Sequence, residues 1–155
     1  MEDTEIRILR VLPSQVAEHW PLIKSSLLAH QLIRAEASEE SMTNILTSLM
    51  GEKLVAWFVY RGQQLVFIYT TLVQEDDISG SRSLLLYSSF AVETMTNYDD
   101  YRVIFGHCTK LAKFLDCHKV FTYTDDARSA QILEHMGGGI TTRNCHELVL
   151  QGDEL

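Results

Sequence analysis

Three adjacent cysteine and histidine pairs could bind a metal: His107-Cys108, Cys117-His118 and Cys145-His146. Thiolate sulfur and imidazole nitrogen are the ligands that zinc prefers in tetrahedral sites. The spacing argues against such a site, because the sequence contains no Cys-x-x-Cys and no His-x-x-x-His pattern. We therefore predict no metal site.

The same pairs could in principle provide a nucleophilic thiol activated by an imidazole. Neighbouring residues on a helix point to different faces, so His107 is not placed to take a proton from Cys108. Cys108 falls on the apolar side of a helical pattern, where a thiol packs as a small hydrophobic group. An odd number of cysteines without a secretion signal favours reduced thiols, and we predict that they are structural.

Composition and charge restrict the class of protein. The 155 residues are 46% hydrophobic and carry a formal net charge of −8, which predicts one domain over residues 1–155. The negative charge disfavours nucleic acid as a partner. The acidic start lacks the features of a signal peptide, and no apolar run approaches the length of a membrane span. We therefore expect a cytoplasmic protein that does not interact with membranes.

Apolar periodicity predicts an α/β protein organised around residues 101–139. A helical stripe through Ile104, Cys108 and Leu111 leads into a β-branched and aromatic run at 120–124, which predicts a helix, a buried parallel strand and a further helix. The full predicted order is strand, helix, helix, three largely antiparallel strands, helix, strand, helix, strand. The strands are predicted at 6–12, 54–60, 65–73, 83–92 and 120–124, followed by a last strand or strand pair within 143–150. This order predicts a mixed central sheet flanked by helices.

The order of elements resembles the GNAT superfamily of N-acetyltransferases over residues 6–150. Residues 111–120 are similar to the end of the family's third helix and its next strand. Residues 126–129 (Asp-Ala-Arg-Ser) and the helix end at 133–137 are similar to the family's Asn-x-x-Ala helix, which ends in Leu-Gly. Residues 16–24 also resemble the first helix of GNAT-like proteins carried by bacteriophages, for which the location would be the host cytoplasm or the virion.

The resemblance implies acetyl-coenzyme A as the cofactor. In the family, main-chain groups of a splayed strand hold the pantetheine arm, and here these would belong to Phe90, Ala91 and Val92. A glycine-rich loop at the start of the third helix holds the pyrophosphate with free N–H groups and the helix dipole. Here that loop would include Asn97 and Tyr101.

The resemblance also implies proton transfer by two side chains, a base for the attacking amine and an acid for the leaving thiolate. Glu93 lies near the end of the fourth predicted strand, where a base would act. Tyr98 is the candidate acid, with Tyr101 and Tyr123 as the other phenols near the site. The position that usually carries the family's tyrosine, just before the Leu-Gly end, is Leu133 in this chain.

Two functions of different classes fit this pattern. One is an acyl-coenzyme A-dependent N-acyltransferase acting on a small-molecule or protein amine. The other is an inactive GNAT-like binding or assembly module, such as one encoded by a phage, whose partner is another protein or a second copy of the chain.

The predicted phosphate loop lacks glycine and carries Asp99 and Asp100. A carboxylate 4 Å from a phosphate charge costs about 1–4 kcal/mol, so we expect weak or no binding of acetyl-coenzyme A.

Overall fold

The computed structural model describes residues 5–93, 97–124, 127–136, 145–148 and 150. In chain order the elements are β1 (Ile6–Arg10), α1 (Pro13–Leu28), α2 (Gln31–Ala35), α3 (Glu39–Met50), β2 (Leu54–Arg61), β3 (Gln64–Glu75), β4 (Arg82–Ala91), α4 (Tyr98–Phe114), β5 (Lys119–Thr122) and α5 (Ala127–Met136). The predicted mixed sheet flanked by helices is confirmed.

The sheet has the strand order β1-β2-β3-β4-β5 among the described residues. Neighbouring strands are antiparallel except for β4 and β5, which are parallel. The predicted hairpin between β2 and β3 is present, with a turn at Gly62 and Gln63. Gly62 has a φ of 61°, a conformation that glycine adopts without steric cost.

Both faces of the sheet are covered by helices, which explains why β2 and β3 are apolar at nearly every position. Tyr69 and neighbours pointing the same way pack against α4, with Ile104 and Cys108 at the centre of that cluster. Ile68 points to the opposite face and packs with Ile23 and other side chains of α1 and α3. The central strands therefore contribute alternate side chains to two hydrophobic cores.

Helix α2 is an addition to the predicted order, since two helices were expected between the first two strands and the structure has three. It spans only five residues, too few for a helical period to be visible in the sequence. The helix lies directly after α1, and its backbone begins at His30, whose carbonyl accepts a hydrogen bond from the Arg34 N–H at 2.9 Å.

Two strand predictions need correction. Residues 145–148 and 150 have no regular secondary structure, and their apolar side chains are open to solvent, with Leu148 85% exposed; the rest of the predicted last strand lies outside the described residues. Strand β5 is present and parallel to β4 as predicted, but it is partly buried and not the buried strand expected there. Within the described residues β5 pairs only with β4, so it forms an edge of the sheet. The Asp126 and Gly137 ends of the α5 motif also lie outside those residues.

Among the described residues, none of the helices has the length and apolar character that crossing a bilayer requires.

Candidate functional site

Strands β4 and β5 separate halfway along β4. They pair from Ser83 with Lys119 to Leu86 with Thr122, where β5 ends while β4 continues to Ala91. A β-bulge lies at the same point, because Thr71 pairs with Leu86 and Thr70 pairs with Ser88. A bulge bends its strand and increases the local twist. The bulge therefore accounts for the opening between the two parallel strands.

The opening exposes main-chain groups of β4. The Val92 N–H donates to the Val66 carbonyl at 2.9 Å, so this group points to β3. Main-chain groups of an antiparallel strand alternate in direction, which places those of Phe90 toward β3 and those of Ser89 and Ala91 toward the gap. Among Phe90, Ala91 and Val92, which were predicted to contact the pantetheine arm, Ala91 is the residue whose main-chain groups point into the gap.

A cleft of about 560 Å³ lies in the gap between β4 and β5, and we call it the splay cleft. Its walls come from β4 at Leu86 and 89–91, from 122–124 at the end of β5, and from α4 and α5. Four residues from Ala29 to Arg34 line it at the α1–α2 junction. The cleft thus joins segments that are far apart in the sequence.

The described residues that line the splay cleft are basic or uncharged, although the chain as a whole is acidic. Arg34, Arg128 and His30 line it, and none of the lining residues that the structure describes is an aspartate or glutamate. The whole chain has 21 acidic and 13 basic residues. The cleft therefore favours anionic ligands.

The carboxylates at the start of α4 are paired with arginines. Asn97 is the N-cap and accepts a hydrogen bond from the Asp99 N–H at 2.9 Å. Asp99 also accepts from Arg102 at 2.6 Å. Asp100 is buried and forms an ion pair with Arg61 at the end of β2. Each negative charge therefore has a positive partner, which reduces the repulsion expected from the sequence.

The two predicted catalytic residues lie outside the lining of the splay cleft. The Glu93 side chain is exposed and accepts a hydrogen bond from Gln64. The Tyr98 ring stacks on His135 of α5, with ring centroids 3.9 Å apart. Neither residue contributes to the cleft walls, and their catalytic roles stay predictions. Val92 and Asn97, predicted as cofactor contacts, are also outside the lining.

Two other tyrosines, Tyr101 and Tyr123, do line the cleft, together with Phe90 and Ala91. Burial raises the pKa of Tyr101, and Arg128, which donates a hydrogen bond to its hydroxyl, partly offsets that increase. Tyr123 follows β5 and is 51% exposed. The cleft thus contains one phenol held by an arginine and one open to solvent.

His30 and Arg34 were not predicted from the sequence as site residues, and Arg128 was predicted only as part of a helix motif. Each is a single basic residue in an ordinary polar context, without a spacing that signals chemistry. Arg128 lies within the Asn-x-x-Ala-like segment, and this was the one available signal for it.

The cysteines and histidines do not assemble into a metal site within the part of the chain that the structure describes. Cys108 is fully buried, and burial raises the pKa of its thiol to about 12. His107 Nδ1 lies 2.5 Å from the Tyr69 hydroxyl, and the His107 ring packs edge-on against Trp57. Burial also raises the Tyr69 pKa, so the hydroxyl stays protonated and donates to a neutral imidazole.

His107 makes stability depend on pH. Burial, with a smaller contribution from Lys110, lowers the pKa of His107. The unfolded chain therefore binds a proton more readily, and the free energy of unfolding falls as the pH drops below about 6.5 toward the folded-state pKa. The slope from this one proton is at most about 1.4 kcal/mol per pH unit. Urea unfolding between pH 7.5 and 5 measures it.

In His107→Gln the slope over this pH range should be smaller than in the unsubstituted protein. His146→Gln is the matched control, because His146 is exposed, and its slope should equal that of the unsubstituted protein. Equal slopes in all three proteins would mean that His107 does not titrate differently on folding.

Comparison with known proteins finds matches to solved structures. No family model matches the sequence, and no curated protein does. An aminoglycoside acetyltransferase from an uncultured soil metagenomic sample, in complex with sisomicin, superimposes with a TM-score of 0.72 at 12% identity over 95% of this chain and 97% of that one.

Two further solved structures match over a similar share of both chains. A predicted acetyltransferase with acetyl-coenzyme A from Clostridium acetobutylicum has a TM-score of 0.66 at 12% identity, over 93% of this chain and 96% of that one. A ribosomal-protein-alanine N-acetyltransferase from Brucella melitensis biovar Abortus 2308 has a TM-score of 0.66 at 11% identity, over 96% and 100%. At this level of identity the similarity establishes the fold, whereas the activity has to be argued from the site.

Proposed function

We propose that this chain, which has the fold of the GNAT N-acetyltransferases, binds an acyl-coenzyme A in the splay cleft and transfers the acyl group to an amine. The observation that carries the proposal is the separation of β4 from β5. It directs the main-chain groups of Ser89 and Ala91 into a cleft of about 560 Å³. An extended arm containing amides can pair with a strand edge of this kind.

The residues of the cleft fit such a ligand. Phe67, Phe90 and Ile104 provide apolar wall for the arm, beside the polar main-chain groups of β4. A site with mostly apolar walls and a few convergent polar groups is the usual form of a cofactor pocket. This combination supports binding through shape and backbone contacts.

The phosphates of the ligand would be held by Arg128, near the start of α4. The sequence argued against a phosphate there because of Asp99 and Asp100. Their pairing with Arg102 and Arg61 supports a weaker repulsion than two free carboxylates would exert. A guanidinium has five N–H donors and can hold the Tyr101 hydroxyl and a phosphate oxygen together.

A bound acyl-coenzyme A supplies a thioester: the amine nitrogen bonds to its carbonyl carbon, the carbon–sulfur bond breaks, the amine gives up a proton and the thiolate accepts one. We assign the base to His30, because its imidazole lines the cleft and its Nδ1 has no hydrogen-bond partner among the described residues. We assign the acid to Tyr123, which lines the cleft and is open to solvent. Glu93 and Tyr98, the residues predicted from the sequence, lie outside the lining.

The assembly-module alternative retains one specific observation in its favour. The first turn of α4 carries Asp99 and Asp100, and residues 97–101 contain no glycine, so the helix end offers a poorer anion site than in the family. In that case the chain would bind a protein partner and no coenzyme A.

Titration calorimetry with acetyl-coenzyme A separates the two functions. We expect binding with a dissociation constant in the micromolar range. Ala91→Pro should weaken binding about tenfold, because proline removes an N–H that faces the cleft. The β3–β4 ladder should survive, since that N–H points away from β3.

Ala91→Ser, which keeps the N–H, is the matched control and should bind like the unsubstituted protein. Binding by the unsubstituted protein and equal affinity in Ala91→Pro would show that the arm does not use this strand edge. Absence of binding by the unsubstituted protein would remove the acyltransferase proposal and leave the assembly module.

A further inference from the structure

Residues from both faces of the sheet line the splay cleft. Tyr101 and Ile104 reach it from α4 and belong to the core on the α4 and α5 side. Ala29, His30 and Arg34 reach it from the α1–α2 junction, and α1 packs through Ile23 and Leu27 into the core on the opposite side. Segments from the two faces therefore meet at the gap between β4 and β5.

One arginine lines the cleft from each side of the sheet. Arg128 lies on α5, on the side of α4, and Arg34 lies on α2, next to α1. Because they reach the cleft from opposite sides, we assign them to different ligands. If Arg128 holds the cosubstrate, Arg34 is available to a different ligand.

Two polar side chains at the α1–α2 junction have no partner among the residues that the structure describes. Within the described residues, the Arg34 side chain makes no hydrogen bond or ion pair. His30 Nδ1 is buried and also has no hydrogen-bond partner in that part of the chain. Buried polar atoms are nearly always paired, in proteins or with a ligand or water. The unpaired His30 Nδ1, beside the exposed Arg34 guanidinium in the same cleft lining, has the character of a binding site for a second substrate.

We infer that the acceptor amine carries an anionic group, a carboxylate or a phosphate, which Arg34 binds while His30 faces the amine. This inference rests on the proposed acyltransferase function. A guanidinium pairs with either anion through two parallel hydrogen bonds. The absence of Asp and Glu from the described lining disfavours a polycationic acceptor, because none of the described lining residues would offset its charge.

Two pairs of amines test the inference, each differing only in the anionic group. They are L-lysine with cadaverine, and O-phosphoethanolamine with ethanolamine. Binding is followed by proton NMR titration of the full chain without acetyl-coenzyme A. In at least one pair the anionic member should bind about tenfold more tightly, the effect expected of a charge-assisted hydrogen bond, and the pair that shows it identifies the anion.

Arg34→Gln should abolish this preference, and Arg34→Glu should reverse it in favour of the amine without an anion. Arg34 is exposed, so both variants should fold, which circular dichroism checks. Arg10→Gln is the matched control, since Arg10 lies on β1 at the far edge of the sheet and is not part of the cleft. It should keep the preference.

Equal binding within both pairs would overturn the inference, as would a preference that survives Arg34→Gln. Acetyl-coenzyme A calorimetry on the same variants separates this failure from failure of the proposed function. Arg34→Gln should bind acetyl-coenzyme A as the unsubstituted protein does. A loss of that affinity would place Arg34 in the cosubstrate site and overturn the assignment to the acceptor.

Discussion

Replacing Ile104 with alanine is expected to lower the free energy of unfolding by about 2–5 kcal/mol. Ile104 is 2% exposed and lies where α4 packs against the sheet beside Phe67 and Leu86. Removing its branched side chain loses buried apolar area and leaves a cavity that the rigid strands cannot fill. Urea unfolding monitored by circular dichroism measures the change.

Val103→Ala provides the matched control on the same helix. Val103 is 46% exposed, so the substitution should change the free energy of unfolding by no more than about 0.5 kcal/mol. A loss below about 1 kcal/mol in Ile104→Ala, or equal losses in the two variants, would contradict the packing of α4 on this face.

Replacing Arg128 with glutamine should reduce the affinity for acetyl-coenzyme A about 10- to 100-fold. The expected loss corresponds to one charge-assisted hydrogen bond to a phosphate, about 1.5–3 kcal/mol. Calorimetry at low and high salt measures it, and the difference between the two proteins should shrink at high salt.

S-acetylpantetheine separates a phosphate contact from a structural effect of Arg128, which also hydrogen-bonds Tyr101. This ligand lacks the phosphates, so its affinity should be the same for Arg128→Gln and the unsubstituted protein. Equal losses for both ligands would mean that Arg128 supports the shape of the cleft. If Arg128→Gln bound acetyl-coenzyme A as tightly as the unsubstituted protein, the phosphates would have to be held at the N-terminus of α4 and not by Arg128.

Local patterns in the sequence were sufficient for most of the element order and for the GNAT fold. Helical stripes such as that of Ile104 and Cys108, and the continuous apolar runs of β2 and β3, arise because each element must bury one or two faces. The β2–β3 hairpin needs only a turn residue such as Gly62 between two apolar runs. The short helix α2 and the edge position of β5 have no comparable local signal.

The candidate site was predicted only in part, because it is formed by contacts between distant residues. The sequence pointed to the end of β4 and the start of α4, and the structure places Phe90, Ala91 and Tyr101 in the cleft. It could not show that Arg61 neutralises Asp100, a contact that spans 39 positions in the chain.

Two properties of the site depend on tertiary structure alone: the charge of its lining and the identity of the main-chain groups that face it. Arg34 and Arg128 belong to helices on opposite faces of the sheet, and only the opening between β4 and β5 brings both to one cleft. The direction of the Ala91 main chain depends on the register of β4 against β3. A shift of one residue reverses which groups face the cleft, and sequence periodicity does not determine that register.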